Sequence, residues 1–218
     1  MNQDAEKTLP QQRGDLKRQL LINVGTAIFT QKGFFNTGVE EIVKIAGVPK
    51  GSFYYYFDSK EGYVHEVIGN YASYFQKKLD RTLSDGSLTP LERLRAFTQE
   101  ATHAVSRFEF KRGCLVGNLG QEMASLENEI RVRLLDLLNN WRNRFSTCIE
   151  EAKVAGEITT PVDSQQLAQF FWSAWEGAVL CAKLERSTKP LENVSTLFFG
   201  HMLKPVRLAP EKCAPHKF

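Results

Sequence analysis

The sequence predicts an all-α protein of about nine helices, with a small three-helix unit carrying a helix-turn-helix at the N-terminal end and a larger helical unit after it. Three observations lead there. Apolar residues recur at spacings of three and four along most of the 218 residues, the period of one helix face. Start signals of the S/T/D-x-x-E kind recur at Thr37–Glu40, at Asp58 and Ser59 ahead of Glu61, and at Thr89–Glu92, where a short side chain can accept from a free helix amide. No sustained alternation of apolar and polar residues marks a strand.

Leu16, Leu20, Val24 and Ala27/Ile28 form the stripe of a first helix that ends near Gly33. Thr37-Gly38-Val39-Glu40 opens a short helix to Ala46, and Gly47 closes it, since glycine accepts a positive φ at little cost. Pro49 favours a new start, and a third helix runs from about Lys50 to Phe57. A longer one begins around Ser59 and continues through Leu79. Thr89-Pro90-Leu91-Glu92 opens a helix to about Phe108, and the glycine-bearing stretch Gly113–Gly120 leads into a short helix near Met123. Long helices follow over roughly Asn128–Ala155, from Asp163 to about Arg186, and from Pro190 to about Leu203. The boundaries are drawn at residues 14–63, 64–204 and 205–218, the last with Pro205, Pro210 and Pro215 and expected to be a disordered tail.

Composition excludes several classes. A hydrophobic share of 42% and a charged share of 24% suit a soluble globular chain, and a net charge of +3 demands no nucleic-acid partner by itself. Cys114, Cys148, Cys181 and Cys213 form no C-x-x-C pair and have no histidine at ligand spacing, so neither a disulfide framework nor a metal site is expected. No signal peptide or membrane span is read, and a cytoplasmic location is expected, with no cofactor. His65, His103, His201 and His216 are scattered, which gives no support to an enzyme.

Two short helices around a glycine turn, braced by longer ones, make the helix-turn-helix candidate. At about 100° per residue Phe53 and Phe57 share one face. They are expected in the core with Phe34, Ile42 and Ile45, which turns Gly51 and Tyr55 outward and leaves Ser52 and Tyr54 on the flanks. Gly51 permits close approach, Lys50 and Lys60 can neutralise phosphates, and Tyr54 and Tyr55 offer hydroxyl donors to a duplex. For Tyr56, and for the dipole-complementing Glu40 and Glu41, plain packing or helix stabilisation is the better reading.

The run Gly47-Val48-Pro49-Lys50-Gly51-Ser52-Phe53-Tyr54-Tyr55-Tyr56-Phe57-Asp58-Ser59-Lys60-Glu61 resembles the signature of TetR-type regulators. The resemblance implies a three-helix DNA-binding domain, a helical ligand-binding and dimerisation domain, and a homodimer that reads a palindromic double-stranded DNA operator. It also implies that Thr37, Lys50, Gly51, Ser52, Tyr54, Tyr55 and Lys60 line the DNA surface. Pro49 stands where the family often has a serine cap.

In the second unit, Arg112 to Met123 and the helix with Trp172, Trp175, Glu176, Val179 and Lys183 carry the remaining chemistry. Cys114, beside Lys111 and Arg112 and near a helix N-terminus, is expected to have a lowered pKa, although a small buried thiol is the plainer reading. The second helix is apolar nearly all round, which predicts one side against a dimer partner and another along a pocket. These stretches resemble acrylate-responsive regulators of acrylate utilisation, and more loosely repressors that respond to N-ethylmaleimide and other electrophiles. That likeness implies a repressor released by a small unsaturated carboxylate, or a thiol-based sensor acting through Cys114, with Arg112, Cys114, Gln121, Trp172, Trp175, Glu176 and Lys183 at the inducer. A non-specific DNA-binding protein and a small-molecule enzyme remain as alternatives.

Overall fold

The computed structural model describes residues 9–204, so the expected tail from 205 lies outside the described residues. Within them the order is α1 (Leu9–Lys32), α2 (Val39–Ala46), α3 (Lys50–Tyr56), α4 (Lys60–Leu83), α5 (Pro90–Arg107), α6 (Leu115–Met123), α7 (Asn128–Val154), α8 (Ser164–Glu185) and α9 (Lys189–Leu197), the last running into a π-helical turn at Phe198–Met202. No strand is present among the described residues.

Several local signals act as their chemistry predicts. Thr89 accepts from the Glu92 amide while the Glu92 carboxylate accepts from the Thr89 amide, so both halves of the capping box are made. Ser59 accepts from the Gly62 amide at the start of α4, and Asp163 from the Gln166 amide at the start of α8. Gly47 sits in the left-handed region (φ 66°), and its amide and that of Val48 close the carbonyls of α2.

Other expectations are corrected. The stripe expected for α1 fails in its first half: Leu16 and Leu20 are exposed and Leu21 and Ile22 are buried instead, whereas Val24 packs against the core and Ile28 is buried beside Phe29. The Thr37–Glu40 capping box does not form. Gly38 is the N-cap of α2, and the Thr37 hydroxyl donates to the Gly33 carbonyl at 2.7 Å, because the end of α1 lies closer than the amides of α2. Ile45, expected in the core, is exposed, whereas Ile42, Val43 and Ala46 are buried. Gly117 and Gly120 lie inside α6, which begins already at Leu115. The missing side chain at Gly117 makes room there, since a Cβ would collide with the Glu176 carboxylate.

The N-terminal unit is held by aromatic contacts around Tyr63 of α4. Its ring lies 5.9 Å from Phe29, 5.0 Å from Phe53 and 4.8 Å from Phe57, distances at which edge-on rings attract. Its hydroxyl donates to the Leu21 carbonyl at 2.6 Å. The larger unit has a second aromatic core, in which Phe75 stacks on Trp141 at 4.1 Å, Trp141 lies 5.0 Å from Trp172, and Phe145 stacks on Phe171 at 4.5 Å. Helix α4 contributes to both cores without a break, so no flexible linker divides the chain near residue 63.

Tyr63 can pack so closely only because Gly25 has no side chain, since a Cβ there would collide with the phenol. Gly25→Ala is therefore expected to destabilise the protein by about 1–3 kcal/mol, the cost of overpacking. A thermal melt checks this, at about 2–4 °C of Tm for each kcal/mol in a chain of this size.

Candidate functional site: a basic phenol-rich helix and an aromatic cavity

Helix α3 presents two faces of opposite character. Phe53 is 0% exposed and Phe57 is buried, while Tyr55 is 81% exposed and Tyr54 about half. The outward surface carries Lys50, Gly51, Tyr54 and Tyr55, with Ser52 partly exposed at its flank. A Cβ at Gly51 would touch nothing, so the helix is bare there and another molecule can come close. Lys50 pairs with Glu40 at 2.8 Å, with both side chains exposed. Such a pair contributes little in water, so the lysine can exchange its partner for a phosphate.

Two residues chosen from sequence do not lie on that surface. Thr37 is 1% exposed, its hydroxyl turned toward Gly33. The Lys60 ammonium donates to the Phe34 carbonyl at 2.7 Å and lies 3.9 Å from the centre of the Phe34 ring, and burial lowers its pKa. Both side chains fasten the motif together. A polar residue next to a loop reads alike in either role, so sequence did not separate them.

The second site is a cavity of about 510 Å³, within the range that holds small ligands. Its walls come from α1 (Thr26, Thr30), α4 (Tyr71, Phe75, Lys78), α5 (Phe97, Val105), the segment Arg112–Cys114, and α8 (Trp172, Trp175, Glu176). Of the predicted residues, Arg112, Cys114, Trp172, Trp175 and Glu176 meet in this lining. Gln121 does not: it is exposed on α6, whose buried face is Leu115, Val116, Leu119 and Met123. Lys183 also falls outside the lining, with its side chain packed over Gly113.

The thiol behaves opposite to expectation. Burial pushes the Cys114 thiol well above its ordinary pKa, and the neighbouring Glu176 carboxylate pushes the same way. The Gly117 amide and the Tyr71 hydroxyl, 3.7 Å from the sulfur, pull weakly in the other direction. The cations that sequence offered are engaged elsewhere: Lys111 pairs with Glu109, and the Arg112 guanidinium lies 4.2 Å from the Phe108 ring centre. Burial likewise raises the Glu176 carboxyl.

Sequence reasoning missed the residues that join the cavity to the N-terminal unit. The Asn118 side-chain amide donates to the carbonyls of Phe29 and Thr30, both at 2.9 Å, and the Gly113 amide donates to Thr30 at 2.7 Å. Glu122 accepts from the Phe34 amide at 2.5 Å. Together these close the Thr30 carbonyl at the end of α1 and an amide just beyond it, and add a second donor to the Phe29 carbonyl, which also accepts from the Gly33 amide. An Asn and a Glu four residues apart on a short helix carry no signal of partners 88 and 89 positions earlier. Lys78, a buried lysine on the cavity wall, was also missed, because on a helix with many polar residues it reads as solvated.

An all-helical chain with a phenol-rich helix-turn-helix on one unit and an aromatic cavity in the other has the make-up of a DNA-binding regulator that answers to a small molecule. Residues 21–67 match the family of bacterial regulatory proteins of the tetR type, and residues 90–198 match the tetracyclin repressor-like C-terminal domain. The chain is 45% identical to the transcriptional regulator AcuR of Cereibacter sphaeroides over 86% of each chain. It is 30% identical to the transcriptional repressor NemR of Escherichia coli, over 81% of this chain and 88% of that one. Among solved structures, a TetR regulatory protein from Rhodobacter sphaeroides is similar with a TM-score of 0.82 and 45% identity, covering 85% of this chain and 98% of that one. The reduced form of E. coli NemR is similar with a TM-score of 0.77 and 29% identity, covering 89% and 99%. The chain belongs to the TetR family of DNA-binding transcriptional regulators, and its matched relatives are regulators, not enzymes.

The partly buried Glu176 gives a pH prediction. A carboxyl whose folded pKa lies above its unfolded value of 4.5 contributes stability below that pH, and the contribution is lost as pH rises through the folded value. Wild-type Tm is therefore expected to fall as pH rises above about 4.5, and Glu176→Gln to flatten that slope. Melts of both proteins across the range test it, and parallel profiles would show that Glu176 is not the group responsible.

Proposed function

We propose that the protein is a homodimeric repressor, bound to a palindromic operator and released when a small unsaturated carboxylate such as acrylate enters the cavity. Residues 14–63 form the DNA-binding domain in this reading, and 64–204 the ligand-binding and dimerisation domain. Lys50, Gly51, Ser52, Tyr54 and Tyr55 meet the duplex, while the buried Thr37 and the partly exposed Lys60 brace the motif. The protein works where its DNA is, in the cytoplasm. No helix among the described residues is long and apolar enough to cross a membrane.

The observation that carries this reading is the shared wall: the cavity that holds Cys114 and Glu176 is closed on one side by α1, a helix of the DNA-binding unit. A ligand there touches both units at once. The junction that Asn118 and Glu122 make with the end of α1 gives it a handle on the motif. Support for the ligand class comes from the likeness of Arg112–Met123 and the tryptophan helix to acrylate-responsive regulators. Support for a dimer comes from α8, whose outer face exposes Phe170, Leu180 and Leu184 beside Ser173 and Gly177. An apolar stripe of that kind marks an association surface.

A ligand that prefers a dimer with misaligned recognition helices draws the population off DNA. The half-sites must lie about 34–36 Å apart, or a multiple, for both helices to engage.

Thiol sensing is the second reading, favoured by the position of Cys114 on the cavity wall. The sulfur would bond to the terminal carbon of an activated double bond and the thiol proton would pass to the neighbouring carbon, with nothing oxidised. The raised thiol pKa makes this slow with weak electrophiles.

Selection of bound DNA from a random pool, with and without acrylate, is the direct test. A symmetric site is expected, with affinity lowered about 5–150-fold by acrylate; sequence-independent binding would overturn the regulator-operator reading, and an unchanged affinity would overturn the ligand class. Cys114→Ser is expected to keep the acrylate response. Loss of its response to N-ethylmaleimide alone would add thiol sensing, and loss of both would make the thiol the primary sensor. Tyr55→Ala is expected to weaken operator binding by about 1–3 kcal/mol with Tm unchanged, read by mobility shift and melt.

A further inference from the structure

Among the charged side chains that line the cavity, Lys77, Lys78, Arg107 and Arg112 are cations, and Glu176 is the carboxyl. Glu176 has its pKa raised by burial and moves toward its neutral form. The space is therefore electropositive, with apolar rings for walls. Lys78 is placed differently from the other cations. It is 5% exposed, and its ammonium lies 5.3 Å from the centre of the Phe97 ring and 6.0 Å from that of Phe75. Its ion partner, Glu100, stands at 3.8 Å, and the same carboxylate oxygen is held by Arg81 at 2.6 Å. An ammonium has three donors, and the nearest acceptor of this one is the Glu100 carboxylate at 3.8 Å, a long contact that leaves donors free for a closer partner. A buried charge so poorly matched is costly. Burial accordingly lowers the Lys78 pKa, and Arg81 and Arg107 add to the effect against the pull of Glu100.

A second donor in the same lining is also unmatched. The Trp172 indole nitrogen is buried and has no hydrogen-bond partner among the described residues, although an indole N–H normally finds one when buried. The cations favoured from sequence are less suited to hold a ligand: Arg112 is stacked on Phe108, and Lys183 lies outside the lining.

We propose that Lys78 is the anion anchor of this cavity, and that beyond an acid as small as acrylate the cavity takes, and favours, a carboxylate with an apolar body of about aromatic-ring size, seated against Phe75, Phe97 and Trp172. This rests on the reading of the cavity as the inducer site and deepens it by naming the anchor and the ligand's shape. The carboxylate supplies the acceptor that Lys78 lacks, the Trp172 N–H donates to an oxygen of the ligand, and the ring body fills space that a five-heavy-atom acid leaves open. Along α4, Lys78 lies seven residues beyond Tyr71, which touches Cys114; at 1.5 Å per residue this puts the anchor about 10 Å from the thiol end. A ligand bound to Lys78 therefore reaches the thiol end only if it has length.

The test is calorimetric titration of the full-length protein with 3-phenylpropionate, which is saturated and cannot add to a thiol, with 3-phenylpropanamide as its uncharged counterpart, and with acrylate. Wild type is expected to bind the phenyl acid more tightly than acrylate. Lys78→Met is expected to weaken the phenyl acid about tenfold or more, as loss of a charge-assisted contact does, while leaving the amide within about threefold. Lys78→Gln repeats the comparison should the methionine variant fold poorly. Trp172→Phe is expected to weaken acid and amide alike, since both offer an oxygen. Equal losses of acid and amide at Lys78 would overturn the anchor and leave the lysine a structural role, as would unchanged binding of the acid. Binding of the phenyl acid without acrylate would overturn the small-inducer reading and leave the anchor standing. Binding of acrylate independent of Lys78 would do the reverse, and binding of neither acid would overturn both.

Discussion

The backbone groups left open at the C-terminal end of α1 are closed by side chains and an amide from a segment far along the chain, and the relation between the two units depends on that junction. Asn118 takes two carbonyls, Gly113 shares one of them, and Glu122 takes the Phe34 amide. Buried backbone groups are costly when unpaired, so α6 cannot move away without the end of α1 finding new partners. Gly33, with a φ of 81°, completes the fit, because a side chain there would meet the Glu122 carboxylate. Cys114 is the N-cap residue of the same α6 and stands on the cavity wall. One short helix thus has a ligand site at its start and the DNA-binding unit along its side.

The cavity owes its character to burial. Burial shifts four ionisable groups of its lining toward their neutral forms: the Cys114 thiol, the Tyr71 phenol and the Glu176 carboxyl go up, and the Lys78 ammonium goes down. Neutral groups sit more easily than charges among aromatic rings, and an anionic ligand would restore the field that favours charge on the lysine. Binding and ionisation are therefore linked in this protein.

Much of the fold was legible because its signals are local. The Thr89 box, the Ser59 and Asp163 caps, the Gly47 turn and the inward Phe53 and Phe57 each need only a few neighbouring residues. What misled was local pattern with a distant competitor. Thr37 has the spacing of a cap, yet the Gly33 carbonyl captured its hydroxyl. Cys114 has basic neighbours in sequence, but their charges are directed elsewhere, and a carboxyl from α8 lies beside it. Gln121 and Lys183 lie on α6 and α8, close to the cavity in the chain, but Gln121 is exposed and Lys183 falls outside the lining. Lys78, Asn118 and Glu122 act through partners on other helices, and sequence periodicity carries no information of that kind.

Helix α4 runs unbroken for 24 residues, about 36 Å, from the foot of the recognition motif past the cavity wall. A stiff rod turns small rotations into displacement. From Tyr74 at the cavity to Lys60 is about 21 Å, so a tilt of about 5° at the first carries the second through about 2 Å. In a two-fold pair the shifts add to about 4 Å, against the 34–36 Å between successive turns of the major groove. A mismatch of that size removes the paired grip on DNA, so a rearrangement of side chains no larger than one ligand's width can act as a genetic signal.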